Sequence, residues 1–85
     1  MEKNKSDIIA NLCYTELVYG RINKKLKSNK SNKEIEVYLL NILKNTPLSG
    51  YIKTGKNFYV SSFENNIRIT VNSYTYRVIT VDKLD

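Results

Sequence analysis

Two rhythms of apolar residues divide the chain near position 50. Before it, Ile8, Leu12, Tyr19, Ile22 and Leu26 recur at intervals near three and four, with Ile9, Cys13 and Leu17 widening the stripe. That spacing lines one face of a helix. Ser6 and Asp7 are suitable N-caps, so the pattern predicts a helix over about 7–27. Gly20 is the awkward position, since an interior glycine costs about 1 kcal/mol relative to alanine. The helix either runs through it or breaks there into a short second turn. The stripe keeps its phase, which favours continuity and makes Gly20 a point where another element comes close.

A polar linker, "SNKSNK", follows, and Ser31-Asn32-Lys33-Glu34 has the form of a capping box. A second helix over about 32–45 carries Ile35, Leu39, Ile42 and Leu43 on one face. Pro47 disfavours helical geometry just before it. The two helices read as a hairpin.

After Gly50 the period becomes two. "YIKT", "NFYVS", "NIRITVN" and "YRVITV" are rich in β-branched and aromatic residues, with turn-like segments between them. They predict strands over about 51–54, 57–61, 66–72 and 76–81. The fold class is therefore α+β: an N-terminal αα-hairpin packed on one face of a four-stranded antiparallel β-meander. With 85 residues, the chain reads as a single domain, 1–85.

Turns at Ser73-Tyr74 and Phe63-Glu64 set an expected register. Ile69 then opposes Val78, Val71 opposes Tyr76, Val60 opposes Ile67 and Phe58 opposes Ile69. One face collects Phe58, Val60, Ile67, Ile69, Val71, Tyr76 and Val78 as the core. The other collects Tyr59, Arg68, Thr70, Arg77, Ile79 and Val81, with Tyr51. A one-residue slip would exchange the two sets.

Charge adds an asymmetry to this picture. The formal net charge is +6. Residues 1–33 carry eight basic and three acidic side chains (+5), and residues 34–85 carry six and five (+1). A basic half suits a polyanion partner. A bland source competes: eleven Asn, eleven Lys and nine Ile are what an AT-rich coding sequence supplies.

Several classes of chemistry start badly. There is no histidine, the commonest general base near neutral pH. The single cysteine, Cys13, reads as a small buried hydrophobe and forbids an intrachain disulfide. No cluster has metal-ligand spacing, and no cofactor motif is present. No apolar run reaches the ~20 residues of a membrane span. The expectation is a non-enzymatic, cytoplasmic protein without metal or cofactor. A nuclease working through Arg, Lys and Tyr alone is the outside case.

Two surfaces remain. The first is Arg21, Lys24, Lys25, Lys27, Lys30 and Lys33, dense enough in charge to contact phosphates. The same cations also suit a solvated helix end, where they complement the macrodipole. The second is the outer sheet face of Tyr51, Tyr59, Arg68, Arg77 and Ile79. Flat aromatic and guanidinium groups of this kind serve as base-stacking platforms or as protein interfaces.

The runs "NLCYTELVYGRINKKL" and "GKNFYVSSFENNIRITVNSYTYRVITVDKL" resemble a family of small bacterial domains of unknown function, over about residues 11–84. The resemblance implies a stand-alone bacterial cytoplasmic protein of the sort carried on mobile elements. It transfers no activity and no residue role.

The reading is a small binding module that takes nucleic acid through the basic helix end and linker. The alternative is a protein-interaction module using the Tyr/Arg face: a homodimer, or an inhibitor of a larger bacterial or phage-defence enzyme with an acidic surface.

Overall fold

The computed structural model describes residues 2–84, apart from the side chain of Glu2. Three α-helices precede the sheet: α1 (Glu2–Asn11), α2 (Val18–Leu26) and α3 (Asn32–Asn45). A short 3-10 turn, Leu48–Gly50, leads into β1 (Tyr51–Thr54), β2 (Asn57–Ser62), β3 (Ile67–Asn72) and β4 (Val78–Lys83). The strands form one antiparallel sheet in the order β1-β2-β3-β4. The α+β meander expected from the change of period is the observed architecture.

The helices cover one face. Ile8, Val18, Ile22, Ile35, Leu39, Ile42 and Leu43 meet Tyr51, Phe58, Val60, Ile67, Ile69, Val71, Val78 and Val81 in a single buried cluster. The core positions read from alternation, Phe58, Val60, Ile67, Ile69, Val71 and Val78, all lie inside it. Tyr76 is half-buried against it and stacks on Phe58 at 6.3 Å.

The long first helix is corrected. It is two helices separated by residues 12–17. Within that break the Cys13 amide donates to the Tyr76 carbonyl (3.0 Å), and the Val78 amide donates to the Cys13 carbonyl (2.9 Å). Cys13 thus pairs in parallel with Arg77, at the head of β4. Backbone polar groups must find partners. Here the sheet edge supplies them in place of a helical turn. Ile8 and Ile22, on either side of the break, are both fully buried.

Gly20 is also corrected. It lies inside α2, is exposed, and a Cβ there would meet nothing within 4 Å. The close approach is at Gly50 instead. A Cβ there would come within 2.6 Å of the Ser61 carbonyl oxygen and 2.7 Å of Thr46 Cγ2.

Register departs from expectation in a way that spares the core face. The β2–β3 turn holds four residues, so Val60 opposes Ile69 and Phe58 opposes Val71. The shift is two residues, one full side-chain period, and the faces are kept. In the last hairpin, Val71 opposes Val78 and Thr70 opposes Thr80, leaving Ile79 as the extra residue of a β-bulge. Ile69 consequently opposes Val81. The bulge turns Val81 inward, so its assignment to the outer face is overturned; it is fully buried.

The end of α3 gathers the layers. Ser31 and Glu34 close the capping box at its start, at 3.1 and 2.7 Å. At its end, Lys5 Nζ of α1 donates to the carbonyls of Lys44 (3.1 Å) and Thr46 (2.8 Å). Thr46 Oγ1 donates to the Ile42 carbonyl (2.6 Å), and the Tyr51 hydroxyl donates to that of Leu43 (2.6 Å). Tyr51 is therefore a core residue, 2% exposed, and not part of an outer face.

Two outcomes follow for stability. Gly20→Ala should stabilise by about 0.5–1 kcal/mol, because it removes an interior helix glycine without a clash. Gly50→Ala should destabilise by about 1–3 kcal/mol, because backbone must move to admit the methyl group. Urea unfolding of the two variants measures both signs.

Alkaline pH provides a second check. Burial pushes the Tyr51 phenol up from 10.0 to about 12. A phenol whose folded pKa is raised stabilises fully below its unfolded pKa, and that contribution is lost as pH rises through the folded value. Stability should therefore be level below pH 10 and fall between 10 and about 12. Tyr51→Phe should make that fall shallower. At neutral pH it should cost about 1 kcal/mol for the lost hydrogen bond.

Candidate functional site

The basic stretch folds into a fixed corner between α2 and α3. Asn23 organises it. Its Oδ1 accepts from the Ser28 hydroxyl (2.8 Å) and the Lys30 amide (3.0 Å), and its Nδ2 donates to the Lys30 carbonyl (2.9 Å). The Asn23 carbonyl accepts from the Ser28 amide (2.9 Å). Lys27 caps α2 in the left-handed conformation, φ 54. The linker is thus a shaped loop with its own hydrogen bonds. Sequence reading passed over Asn23, because an asparagine inside a helical stripe carries no pattern signal.

The six predicted cations do not form one patch. Lys24, Lys27 and Lys33 are exposed around this corner. Lys30 Nζ sits over the Tyr38 ring at 4.9 Å from its centroid. Lys25 reaches Asp82 of β4 at 2.8 Å. That pair is part-exposed and contributes little stability, but it offsets the charge of Lys25. Arg21 lies near the opposite end of α2, one of the walls of a different cleft.

Beside the corner opens a cleft of about 400 Å³, bounded by Ser28, Lys30, Tyr38, Asn65, Asn66 and Lys83 among others. Lys83 and Tyr38 were not among the predicted site residues. Lys83 joins because the observed register sets it opposite Ile67, next to the β2–β3 turn. Only the register could have revealed that. The corner combines ammonium groups, amide groups and one aromatic ring. Its carboxylates are already engaged: Asp82 with Lys25, and Glu34 in the capping box, whose hydrogen bonds hold that carboxyl below its usual range.

The predicted outer face is only partly assembled. Tyr59 and Arg68 share it, with the Arg68 guanidinium 5.9 Å from the Tyr59 ring centroid. They are diagonal, since Tyr59 opposes Thr70 and Arg68 opposes Ser61. Ile52, opposite Tyr59, is 57% exposed and extends the patch. Tyr51 is in the core, as described. Arg77 precedes β4 and Ile79 occupies the bulge, so both belong to the cleft that contains Arg21.

A third cluster joins Tyr14, Tyr19 and Glu36. The two rings stack at 5.2 Å, and the Tyr19 hydroxyl donates to Glu36 Oε2 at 2.7 Å. Burial raises the Tyr14 phenol beyond the ordinary tyrosine range, reinforced by the Glu36 charge. Burial and the Glu36 hydrogen bond push Tyr19 up to about 12. Both phenols stay protonated at neutral pH, so the cluster pins α2 to α3 and offers no phenolate.

Among the described residues, no group of three His, Cys, Asp or Glu could hold a metal ion, and no helix is long and apolar enough to cross a membrane. Cys13 is half-buried, with Sγ 3.3 Å from the Thr75 carbonyl oxygen.

No curated protein and no solved structure matches this chain. Residues 6–82 match the family described as "Protein of unknown function (DUF3781)". The chain belongs to that family.

Proposed function

We propose that this protein is a non-catalytic nucleic-acid-binding module, with the α2–α3 corner as its contact surface. The observation that supports this reading is a cleft lined by Lys30, Lys83 and Tyr38 and by no carboxylate, with Lys24, Lys27 and Lys33 exposed on the adjoining ends of α2 and α3. Phosphate recognition draws on charge density held on a shaped surface. The Asn23-built loop provides the shape, and Tyr38 provides a ring at the cleft wall. A cytoplasmic setting suits such a partner.

The test is a fluorescence-anisotropy titration with single- and double-stranded oligonucleotides across a range of salt. Four phosphate contacts give a slope of log affinity against log salt of about −3 to −4. The triple variant Lys24→Glu, Lys33→Glu, Lys83→Glu reverses three exposed charges. It should lower affinity by about tenfold or more and flatten the slope. Binding that ignores both salt and these substitutions removes the reading. Cleavage of the oligonucleotide would replace it with the histidine-free nuclease.

A further inference from the structure

The helix break at residues 12–17 creates a second cleft, of about 300 Å³, between the start of α2 and the head of β4. Arg21 and Arg77 both line it. Neither guanidinium has a hydrogen bond or ion pair among the described residues. Val18 and Val78 form its buried apolar part. Leu17, 86% exposed, and Ile79, 37% exposed, line it as well.

These features combine two demands. Both arginines are exposed, so their guanidinium groups are open to an incoming anion, and arginine suits the two oxygens of a carboxylate. The exposed leucine and isoleucine call for an apolar group beside that anion. The positive end of α2 adds to the field: Leu17 at its N-cap makes no side-chain capping bond, and its first turn contains no acidic residue.

The geometry points to a peptide-docking cleft that takes a carboxylate flanked by an apolar side chain, presented by a different protein. A second copy of this chain is disfavoured, because each copy carries +6 and the cleft itself is cationic. Nucleic acid fits less well. No aromatic ring lines this cleft for a base to stack on, and a phosphodiester backbone has no use for Leu17. Interfaces enriched in arginine and depleted of lysine have the composition seen here. The inference is independent of the α2–α3 corner, which lies toward the other end of α2.

Three short peptides test it by NMR titration of the isotope-labelled protein. Acetyl-Gly-Ala-Leu with a free C-terminus presents a terminal carboxylate. Acetyl-Gly-Asp-Leu-amide presents a side-chain carboxylate. Acetyl-Gly-Ala-Leu-amide presents neither. Saturable shifts of the Arg21 and Arg77 side-chain signals and the Ile79 amide with either acid, absent with the neutral amide, support the proposal. Whichever acid binds more tightly identifies the source of the carboxylate. Arg77→Ala should weaken that binding by about tenfold or more, as expected for hydrogen bonds to a charged group. Leu17→Ser, at an exposed position, should weaken it while leaving the spectrum otherwise folded.

Four results overturn the proposal: no saturable shift with either acid, equal binding of the neutral amide, indifference to Leu17→Ser, or displacement of the bound peptide by an oligonucleotide that itself shifts Arg21 and Arg77. Loss of oligonucleotide binding in the triple lysine variant leaves these readouts in place, so the two surfaces succeed or fail separately.

Discussion

Two backbone hydrogen bonds at Cys13 set the layout of this molecule. A chain leaving α1 has to satisfy its amides and carbonyls somewhere, and β4 begins with an edge that needs a partner. Joining the two at Cys13 and Tyr76–Val78 meets both needs. The consequence is geometric. The helical stripe is cut, α2 is laid against β4, and a cleft opens where the break turns back. A helix running unbroken from residue 7 to 27 would have left the head of β4 bare and no such cleft beside it.

The C-terminus of α3 is the second anchor, and it explains where much of the polar chemistry is spent. Helix ends leave carbonyls without intrahelical donors. Here Lys5, Thr46 and Tyr51 supply donors from three directions. Lys5 also lies 5.7 Å from the Tyr51 ring centroid, so a lysine and a tyrosine that look like surface residues hold the two layers together. The lysines of this chain are therefore unequal. Lys5 and Lys25 have partners within the fold, whereas Lys24, Lys27, Lys33 and Lys83 face solvent. Composition alone could not make that separation.

The fold was legible wherever a periodic apolar pattern met a local stop signal. The capping box at Ser31 and the alternation in β2 are local facts, and both appear as read, whereas in β3 Thr70, expected on the outer face, is buried like its neighbours. What escaped reading was non-local. The break at residues 12–17 depends on a strand some sixty residues away. The bulge at Ile79 depends on how β3 and β4 meet, and it alone moves Val81 into the core. Tyr51 looked like a platform residue because strand propensity says nothing about a helix carbonyl waiting beneath it. The candidate site was legible as a basic segment. Its division between the two ends of α2 was not, and neither was the contribution of Lys83.

That division carries the functional argument further than the net charge does. Cations in the last turn of a helix complement its negative end, so Lys24 and Lys25 have a reason to be there that involves no ligand. Arg21 has none. It sits one turn into α2, near the positive end, with no acidic residue in the first turn and Arg77 on the same cleft. Like charges gathered at a positive helix end oppose folding slightly, and neither guanidinium recovers that cost within the described residues. The arginine pair is thus the part of the basic character that is open to solvent and without an ion pair among the described residues, and an external carboxylate is the group proposed for it.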